Sequence, residues 1–349
     1  MSVGAWLAGI LAVSCLVGGP RGASAECVGA CAGIPASVTA PAVLRTEGMI
    51  QTYATHWTGR PELEPGYLPL LGLRQTLTAG MNNLAAPGTS NANSPVPGRP
   101  WPTFGNYERS LASDFVMPNE DAMRLCGVSD LIDWSAAERA LVLRIRPLND
   151  CARREISPAS KARYMSGNLT SYQYFSQLYG VFEVDAKLPR GKGLWPAFWL
   201  LSDRGGWPPE IDVVEQIGSD PATIARDPTT ARSMNVYTYN LIAAFDHALH
   251  QTVHVGGIVR NRPTLDEGFH QYAVDWGPDV TAFYFDRQLV GVVPTPPELK
   301  KAPMYWLVGL AAGGGWAGEP EDPVNAALLV RGIAVWRPRD GGGGLGSVH

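Results

Sequence analysis

Charged residues are scarce in this sequence. They make up only 17% of the chain, and no segment shows the dense run of Lys, Glu and Arg that is typical of a surface helix. Glycine and proline are plentiful, at 39 and 29 residues, as in chains where turns join many short strands. Since 45% of the residues are hydrophobic, there is enough apolar material for a sizeable core. The composition therefore predicts an all-β protein.

A basic surface is also missing. The net charge is −4 and the pI is about 5.9, so the sequence carries no electrostatic footprint for nucleic acid. The 11 tryptophans are the more informative excess. Flat indole faces stack on sugar rings as well as filling cores. We expect most of these tryptophans to be structural and a minority to face a ligand.

The apolar run at the amino terminus is too short to span a membrane. It covers residues 5–17, whereas a membrane-spanning helix needs ~20 apolar residues. Ala23, Ser24 and Ala25 follow it as an A-x-A cleavage pattern before Glu26. We predict that residues 1–25 are a cleaved signal peptide, which would leave a secreted or periplasmic protein without membrane attachment. An uncleaved anchor is the alternative, because no Lys or Arg precedes the apolar run.

Cysteines are few. Without residues 1–25 four remain, Cys27, Cys31, Cys126 and Cys151. Export would place them in an oxidising compartment, where disulfides form. Four cysteines allow three pairings that the sequence alone does not separate, and we prefer the local arrangement, Cys27 with Cys31 and Cys126 with Cys151. A zinc site is the alternative, but no CxxC spacing or histidine cluster supports it.

One short stretch, residues 207–216, carries an unusual group of acids. It reads WPPEIDVVEQ, so Glu210, Asp212 and Glu215 are separated only by β-branched residues that favour a strand. In an extended strand Glu210 and Asp212 point to one face and Glu215 to the other. A one-residue bulge after Asp212 would return Glu215 to the first face, and bulges are common beside active sites. We therefore expect all three carboxyls to line one cleft.

Three carboxylates on one face repel one another, and this repulsion destabilises a strand without any benefit if the strand is purely structural. The repulsion raises at least one pKa and keeps a proton available near neutral pH. Glycoside hydrolysis uses this arrangement, since one carboxylate attacks the anomeric carbon and another protonates the leaving oxygen. A charged, solvated edge strand is the alternative interpretation.

Alternating apolar and polar residues predict further strands. Residues 140–147 and 180–188 alternate in this way, and residues 271–276 and 282–286 flank a Gly-Pro-Asp turn. Residues 234–239 are expected to form the strand that follows the acidic one.

Several sequence blocks resemble glycoside hydrolase family 16. Before the acids, residues 164–201 include the pairs Ser166-Gly167 and Tyr179-Gly180 and the run GLWPAFW. After the acids, GFHQYAVDW, PMYWLVGLAAGGGWAG and IAVWRP follow in the order that the family shows. The resemblance identifies residues 74–338 as a catalytic domain. Residues 26–73 match nothing in the family and are treated as an N-terminal extension, and residues 339–349 as a flexible Gly-rich tail.

The resemblance implies a fold and a reaction. The fold is a concanavalin A-like jelly-roll β-sandwich of two antiparallel sheets with a long substrate groove. The reaction retains the anomeric configuration, with Glu210 as nucleophile, Glu215 as general acid and then base, and Asp212 as a helper that hydrogen-bonds Glu210. Retention would place the carboxyls of the two glutamates about 5 to 5.5 Å apart.

The resemblance also suggests substrate contacts along the groove. The candidates are Trp195, Trp199, Trp207, Glu108, Arg109, His270 and Trp316. For each tryptophan the alternative is a core position, for His270 it is a structural hydrogen bond, and for Glu108 and Arg109 it is a surface ion pair.

The sequence departs from the family in places. Residues 76–85 lack the D-E-F signature that is usual near the first strand. Gly309 stands where relatives often have Asn, so we expect a substrate-facing amide to be missing. Some relatives bind structural calcium, but no acidic loop here has the ligand density for that ion, so we expect no metal or other cofactor.

These features predict an exported, monomeric endo-glycosidase whose partner is a polysaccharide. The expected substrate is a β-1,3 or mixed β-1,3/1,4-linked glucan or a bacterial exopolysaccharide, with agarose and carrageenan left open. A glucan transglycosylase would use the same glycosyl-enzyme intermediate. A non-catalytic β-glucan-binding protein is the alternative from another class, although the retention of all three acids argues against it.

Overall fold

The computed structural model describes twelve segments of the chain, and they form two β-sheets packed face to face. The described residues are 24–28, 40–57, 115–116, 126–155, 162–171, 175–204, 207–217, 235–246, 251–260, 264–313, 317–320 and 325–339. Among them, no helix is long and apolar enough to cross a membrane.

The first sheet has seven antiparallel strands. From one edge to the other they are β1 (Ser24–Val28), β12 (Gln251–Arg260), β11 (Val236–Asp246), β10 (Glu210–Glu215), β9 (Leu194–Ser202), β16 (Met304–Ala312) and β7 (Asn168–Thr170). The acidic strand β10 is therefore central, with β9 and β11 as its neighbours.

The second sheet has ten strands, antiparallel except for one pair. Along its main path they are β15 (Gln288–Pro294), β14 (Val280–Phe285), β13 (His270–Trp276), β8 (Gly180–Lys187), β17 (Ala326–Arg337), β5 (Ala140–Pro147), β6 (Tyr164–Ser166) and β3 (Phe115–Val116). Two more strands join it, β2 (Ile50–His56) beside β17 and β4 (Ile132–Ser135) beside β5. One α-helix, α1 (Asp150–Glu155), and two 3-10 turns, Ser129–Leu131 and Pro297–Lys300, complete the described secondary structure.

The core lies between the sheets because alternate side chains of each strand point inward. In β8 the inward residues include Phe182 and Val184, and in β11 they include Tyr239. The Tyr239 ring stacks on Phe283 of β14 with ring centroids 4.2 Å apart. The opposite face of the seven-stranded sheet is consequently free to form a groove.

The strand predictions were close. The strand at residues 140–147 is confirmed as β5, and the predicted strand at 180–188 is β8, one residue shorter. The Gly-Pro-Asp turn is confirmed between β13 and β14, where the Gly277 N–H donates to the Val280 carbonyl at 3.0 Å. The strand expected at 234–239 starts at Val236 and continues to Asp246. The jelly-roll sandwich of two sheets is confirmed as the fold.

Part of the predicted N-terminal extension packs on the sandwich. Within residues 40–57, β2 pairs with β17, and Leu44 is buried on the outer face of the ten-stranded sheet against Tyr284. Strand β1 spans the predicted signal cleavage position, so cleavage there would leave residues 26–28 of that strand. The signal peptide itself stays a prediction.

A disulfide joins Cys126 to Cys151, as the local pairing predicted, with the Cα atoms 5.4 Å apart. The bond ties the start of α1 to the preceding segment. Asn149 reinforces the junction, because its Nδ2 donates to the Cys126 carbonyl at 3.2 Å and its Oδ1 accepts from the Ala152 N–H at 2.8 Å. Cys31 lies outside the described residues, so its predicted pairing with Cys27 stays a prediction.

Loss of the Cys126–Cys151 bond should destabilise the folded protein. The bond closes a loop with a sequence separation of 25, and the constraint on the unfolded chain is worth about 3 kcal/mol. We expect the double variant Cys126→Ala/Cys151→Ala to unfold at a lower temperature than the parent when circular dichroism is followed on heating. A reductant should lower the Tm of the parent more than that of the variant. Equal Tm values for parent and variant would contradict the prediction.

Candidate active site

Strand β10 contains a bulge after Asp212, as the sequence predicted. Its pairing register shifts there against both neighbours. The residues opposite the three acids are Leu201, Trp199 and Ala197 on β9, and Ile242, Asn240 and Thr238 on β11. Both sets follow at steps of two, so the acids share one face of the sheet. This is the groove face, because the intervening residues Phe198 and Leu200 point into the core.

The three acids are almost fully enclosed. Relative exposure is 8% for Glu210, 2% for Asp212 and 8% for Glu215. Carboxylates so poorly solvated cannot all be ionised at neutral pH. The strand therefore holds at least one proton on this face.

Glu215 is held by a donor on each carboxyl oxygen. Trp195 Nε1 donates to Oε1 at 3.1 Å, and Asn240 Nδ2 donates to Oε2 at 3.0 Å. Burial first and the charge of Glu210 second raise the pKa of Glu215 to about 8, although these donors and Asp212 oppose the rise. At neutral pH Glu215 consequently carries a proton that it can donate.

Asp212 lies between the two glutamates. Burial is the main cause that raises its pKa well above the ordinary value, and the charges of Glu215 and Glu210 add to it. A protonated Asp212 can donate a hydrogen bond to a neighbouring glutamate. The group of three can therefore pass between protonation states as a unit.

Glu210 is oriented by a tryptophan three residues earlier. The Nε1–H of Trp207 donates to Glu210 Oε2. Trp207 and Trp199 also pack against Tyr305 and Leu307 of β16, which makes an apolar floor beside the acids. The structure thus brings Trp195, Trp199 and Trp207 together with the three acids, as the sequence analysis expected.

An amide occupies the space above Gly309. Gly309 pairs with Ala197 on β9 and with Asn168 on β7, so these residues stand in the same row as Glu215. A Cβ at position 309 would overlap Asn168 Oδ1. Asn168 of β7 fills this space, and its Nδ2 donates to the Ser166 carbonyl at 3.4 Å and to Ser166 Oγ at 3.3 Å. The expected lack of a substrate-facing amide at position 309 stays a prediction.

His270 is not brought to the acids. It lies in β13 of the ten-stranded sheet and shares a face with the core residue Tyr272. Its Nδ1 is 2.8 Å from Asp286 Oδ2, and its ring lies 4.8 Å from that of Phe285. The seven-stranded sheet separates this position from the groove face. His270 therefore makes a structural hydrogen bond in place of the substrate contact that the sequence predicted.

The remaining predicted contacts, Glu108, Arg109 and Trp316, lie outside the described residues. Asn240 and Asn168 are groove residues that the sequence analysis missed. The alternation of residues 236–242 was a usable signal for Asn240, since it separates core tyrosines from polar residues. No cluster of three or more His, Cys, Asp or Glu suited to a metal ion occurs within the described segments.

Two glutamates on the groove face of a jelly-roll sandwich, one with a raised pKa and the other bonded to a tryptophan, define a glycosidase-like site. The sequence model of the family described as "Glycosyl hydrolases family 16" matches residues 138–326, which include β10 and the three tryptophans. The chain belongs to this family.

Three relatives illustrate the similarity. "Endo-1,3-1,4-beta-glycanase EglC" of Rhizobium meliloti is 36% identical over 54% of this chain and 36% of its own length. "Beta-glucanase" of Rhodothermus marinus is 32% identical over 52% of this chain and 65% of its own length. The match therefore spans about a third of the first relative and about two thirds of the second. The laminarinase catalytic domain of Thermotoga maritima shares the fold, with TM-score 0.54, 19% identity, and coverage of 83% of this chain and 99% of that one.

Replacement of Gly309 by Ala should destabilise the groove, because the new methyl group would meet Asn168 Oδ1. Overpacking of this kind costs about 1–3 kcal/mol in free energy of unfolding. Urea denaturation should show this loss for Gly309→Ala and a smaller loss when the same change is made in an Asn168→Ala background. Gly268→Ala is the matched control, since a Cβ there meets nothing within 4 Å. An equal cost in both backgrounds would refute the proposed contact.

Proposed function

We propose that the protein is an exported, retaining endo-glycosidase that hydrolyses internal bonds of a β-1,3 or mixed β-1,3/1,4-linked glucan or exopolysaccharide. One observation carries this proposal. The bulge in β10 sets Glu210, Asp212 and Glu215 on one enclosed face, where Glu215 is protonated and Glu210 accepts from Trp207. A nucleophile and a proton donor are the two groups that the reaction needs.

Each acid has one role in the proposed double displacement. Glu210 attacks the anomeric carbon while Glu215 gives its proton to the departing glycosidic oxygen, which leaves a glycosyl-enzyme ester on Glu210. Glu215 then takes a proton from water as the water oxygen attacks the same carbon and releases Glu210. Asp212 exchanges hydrogen bonds with both glutamates and so helps each to change charge.

The groove supports a polysaccharide substrate. Trp199 and Trp207 are only partly buried, pack on the buried Tyr305 and give an aromatic floor next to the acids, and such rings stack on sugar faces while the hydroxyls stay hydrated. The names of the relatives, an endo-1,3-1,4-beta-glycanase and a beta-glucanase, favour β-linked glucans. Export fits the predicted signal peptide and the disulfide, and a polymer outside the cell is accessible only to an exported enzyme.

The test is product analysis with laminarin, lichenan, succinoglycan and agarose, each incubated with the protein and followed by mass spectrometry. We expect shorter oligosaccharides from at least one β-glucan or exopolysaccharide, and none with Glu210→Gln, which keeps the shape of the nucleophile but removes its charge. Products longer than the starting oligomers would mean transglycosylation. Retention of a polymer on the protein without any cleavage would mean a binding protein and would overturn the proposal.

Glu215→Ala should lose most of its activity on polymers and regain turnover with azide on a substrate with a good leaving group. Loss of the acid/base costs about 10²- to 10⁴-fold, and azide needs no general base to attack the ester on Glu210. NMR should identify the product as the β-glycosyl azide, with retained configuration. Glu210→Gly is the matched control, since azide would there replace the nucleophile and give the α-azide. The absence of rescue in Glu215→Ala would exclude Glu215 as the acid/base.

A further inference from the structure

Asn240 is the polar neighbour of Glu215 on β11. Its Nδ2 donates to Glu215 Oε2 at 3.0 Å, while its backbone is paired with Asp212, the residue just before the bulge. Trp195 donates to the other carboxyl oxygen. With an N–H on each oxygen, the Glu215 carboxyl is fixed in its plane, and its charged form is stabilised whenever the proton has left.

Gly256 on β12 holds Asn240 in this orientation. The two residues are directly opposite each other in the β11–β12 pair. A Cβ at position 256 would overlap Asn240 Oδ1 and the Tyr239 carbonyl. The carbonyl end of the amide therefore packs on the bare Cα of Gly256, which leaves Nδ2 directed at Glu215.

The surroundings of Glu215 make this donor important for one half of the reaction. Among the described residues, the titratable groups that face Glu215 are Glu210 and Asp212, both on its own strand. The elements packed against it, β9 and β11, contribute Trp195 and Asn240 but no cation. Burial and the Glu210 charge favour the protonated form that the first step needs. The second step needs the deprotonated form. Glu210 is then an uncharged ester that no longer raises the pKa of Glu215, and the two hydrogen-bond donors stabilise the carboxylate against the burial that remains.

We propose that Asn240, kept in place by Gly256, is a positioning residue that stabilises deprotonated Glu215, so that Glu215 can act as base toward water in the second step. This inference rests on the proposed function. In that step the water oxygen bonds to the anomeric carbon, the bond to Glu210 breaks and leaves Glu210 as a carboxylate, and one water proton passes to Glu215. Without the Asn240 amide, Glu215 would stay protonated to higher pH and the glycosyl-enzyme would accumulate.

Asn240→Ala and the isosteric Asn240→Asp test the proposal. The amide favours the carboxylate, so its loss raises the pKa of Glu215, and the alkaline limb of the kcat/KM profile should move up by about one pH unit in Asn240→Ala. Asn240→Asp should move it at least as far, because a donor is replaced by an acid. With an activated aryl glycoside, kcat should fall while kcat/KM changes little, since only the second step is slowed. Superimposable pH profiles would overturn the inference.

Gly256→Ala should reproduce the Asn240→Ala phenotype, and the double variant should add little to it. Gly268→Ala, an added methyl in open space, should leave the profile unchanged. If Gly256→Ala does not fold, Asn240→Asp still decides the question. An additive double variant would show that Gly256 does not act through Asn240.

A titration that needs no turnover separates this inference from the proposed function. Carbon-13 labelled glutamate carboxyls, assigned with Glu215→Gln, report the protonation of Glu215 by NMR in the full-length protein and in Asn240→Ala. Cleavage of a polymer together with an unchanged Glu215 titration would refute the role of Asn240 alone. A shifted titration in a protein that cleaves no polymer would refute the proposed function but support the effect of Asn240 on the protonation of Glu215.

Discussion

An extra residue between Asp212 and Glu215 is the constraint on which the site depends. Without the bulge, β10 would carry Glu215 into the core, where a carboxyl has no partner and a high desolvation cost. With it, three acids meet on the groove face, and both neighbouring strands keep a regular pairing on either side of the shift. The cost of crowding these carboxyls is offset by the large core that fixes the strand between β9 and β11.

Donors from neighbouring strands then decide how that crowding is used. Burial alone would hold Glu215 in its acid form, which is useful for one half of a double displacement and harmful for the other. Trp195 on β9 and Asn240 on β11 counter the burial from opposite sides, and Trp207 in the preceding loop orients Glu210 by a hydrogen bond. The aromatic residues of the groove thus orient the acids as well as offering surface to a sugar.

The sequence predicted what is local in the chain and missed what the fold brings from far away. The acids, the bulge and β5 could be predicted, because strand periodicity and charge repulsion act over a few residues. The Asn168 amide above Gly309 joins residues 141 positions apart, and only the pairing of β7 with β16 puts them together. His270 was misplaced because its motif does not show which sheet receives the strand. Strand β15 was not predicted, since Gly291 and the short alternation hide it.

The pairing of β2 with β17 has a consequence for where this domain begins. The family match starts at residue 138, yet β2, at Ile50–His56, covers one side of β17 from Gly332 to Arg337. A protein that began at residue 138 and kept β17 would leave those backbone groups unpaired and open to another sheet edge, which favours aggregation. It would also lose Cys126 and leave Cys151 with an unpaired thiol. The smallest stable unit is therefore set by an edge strand rather than by the extent of sequence similarity.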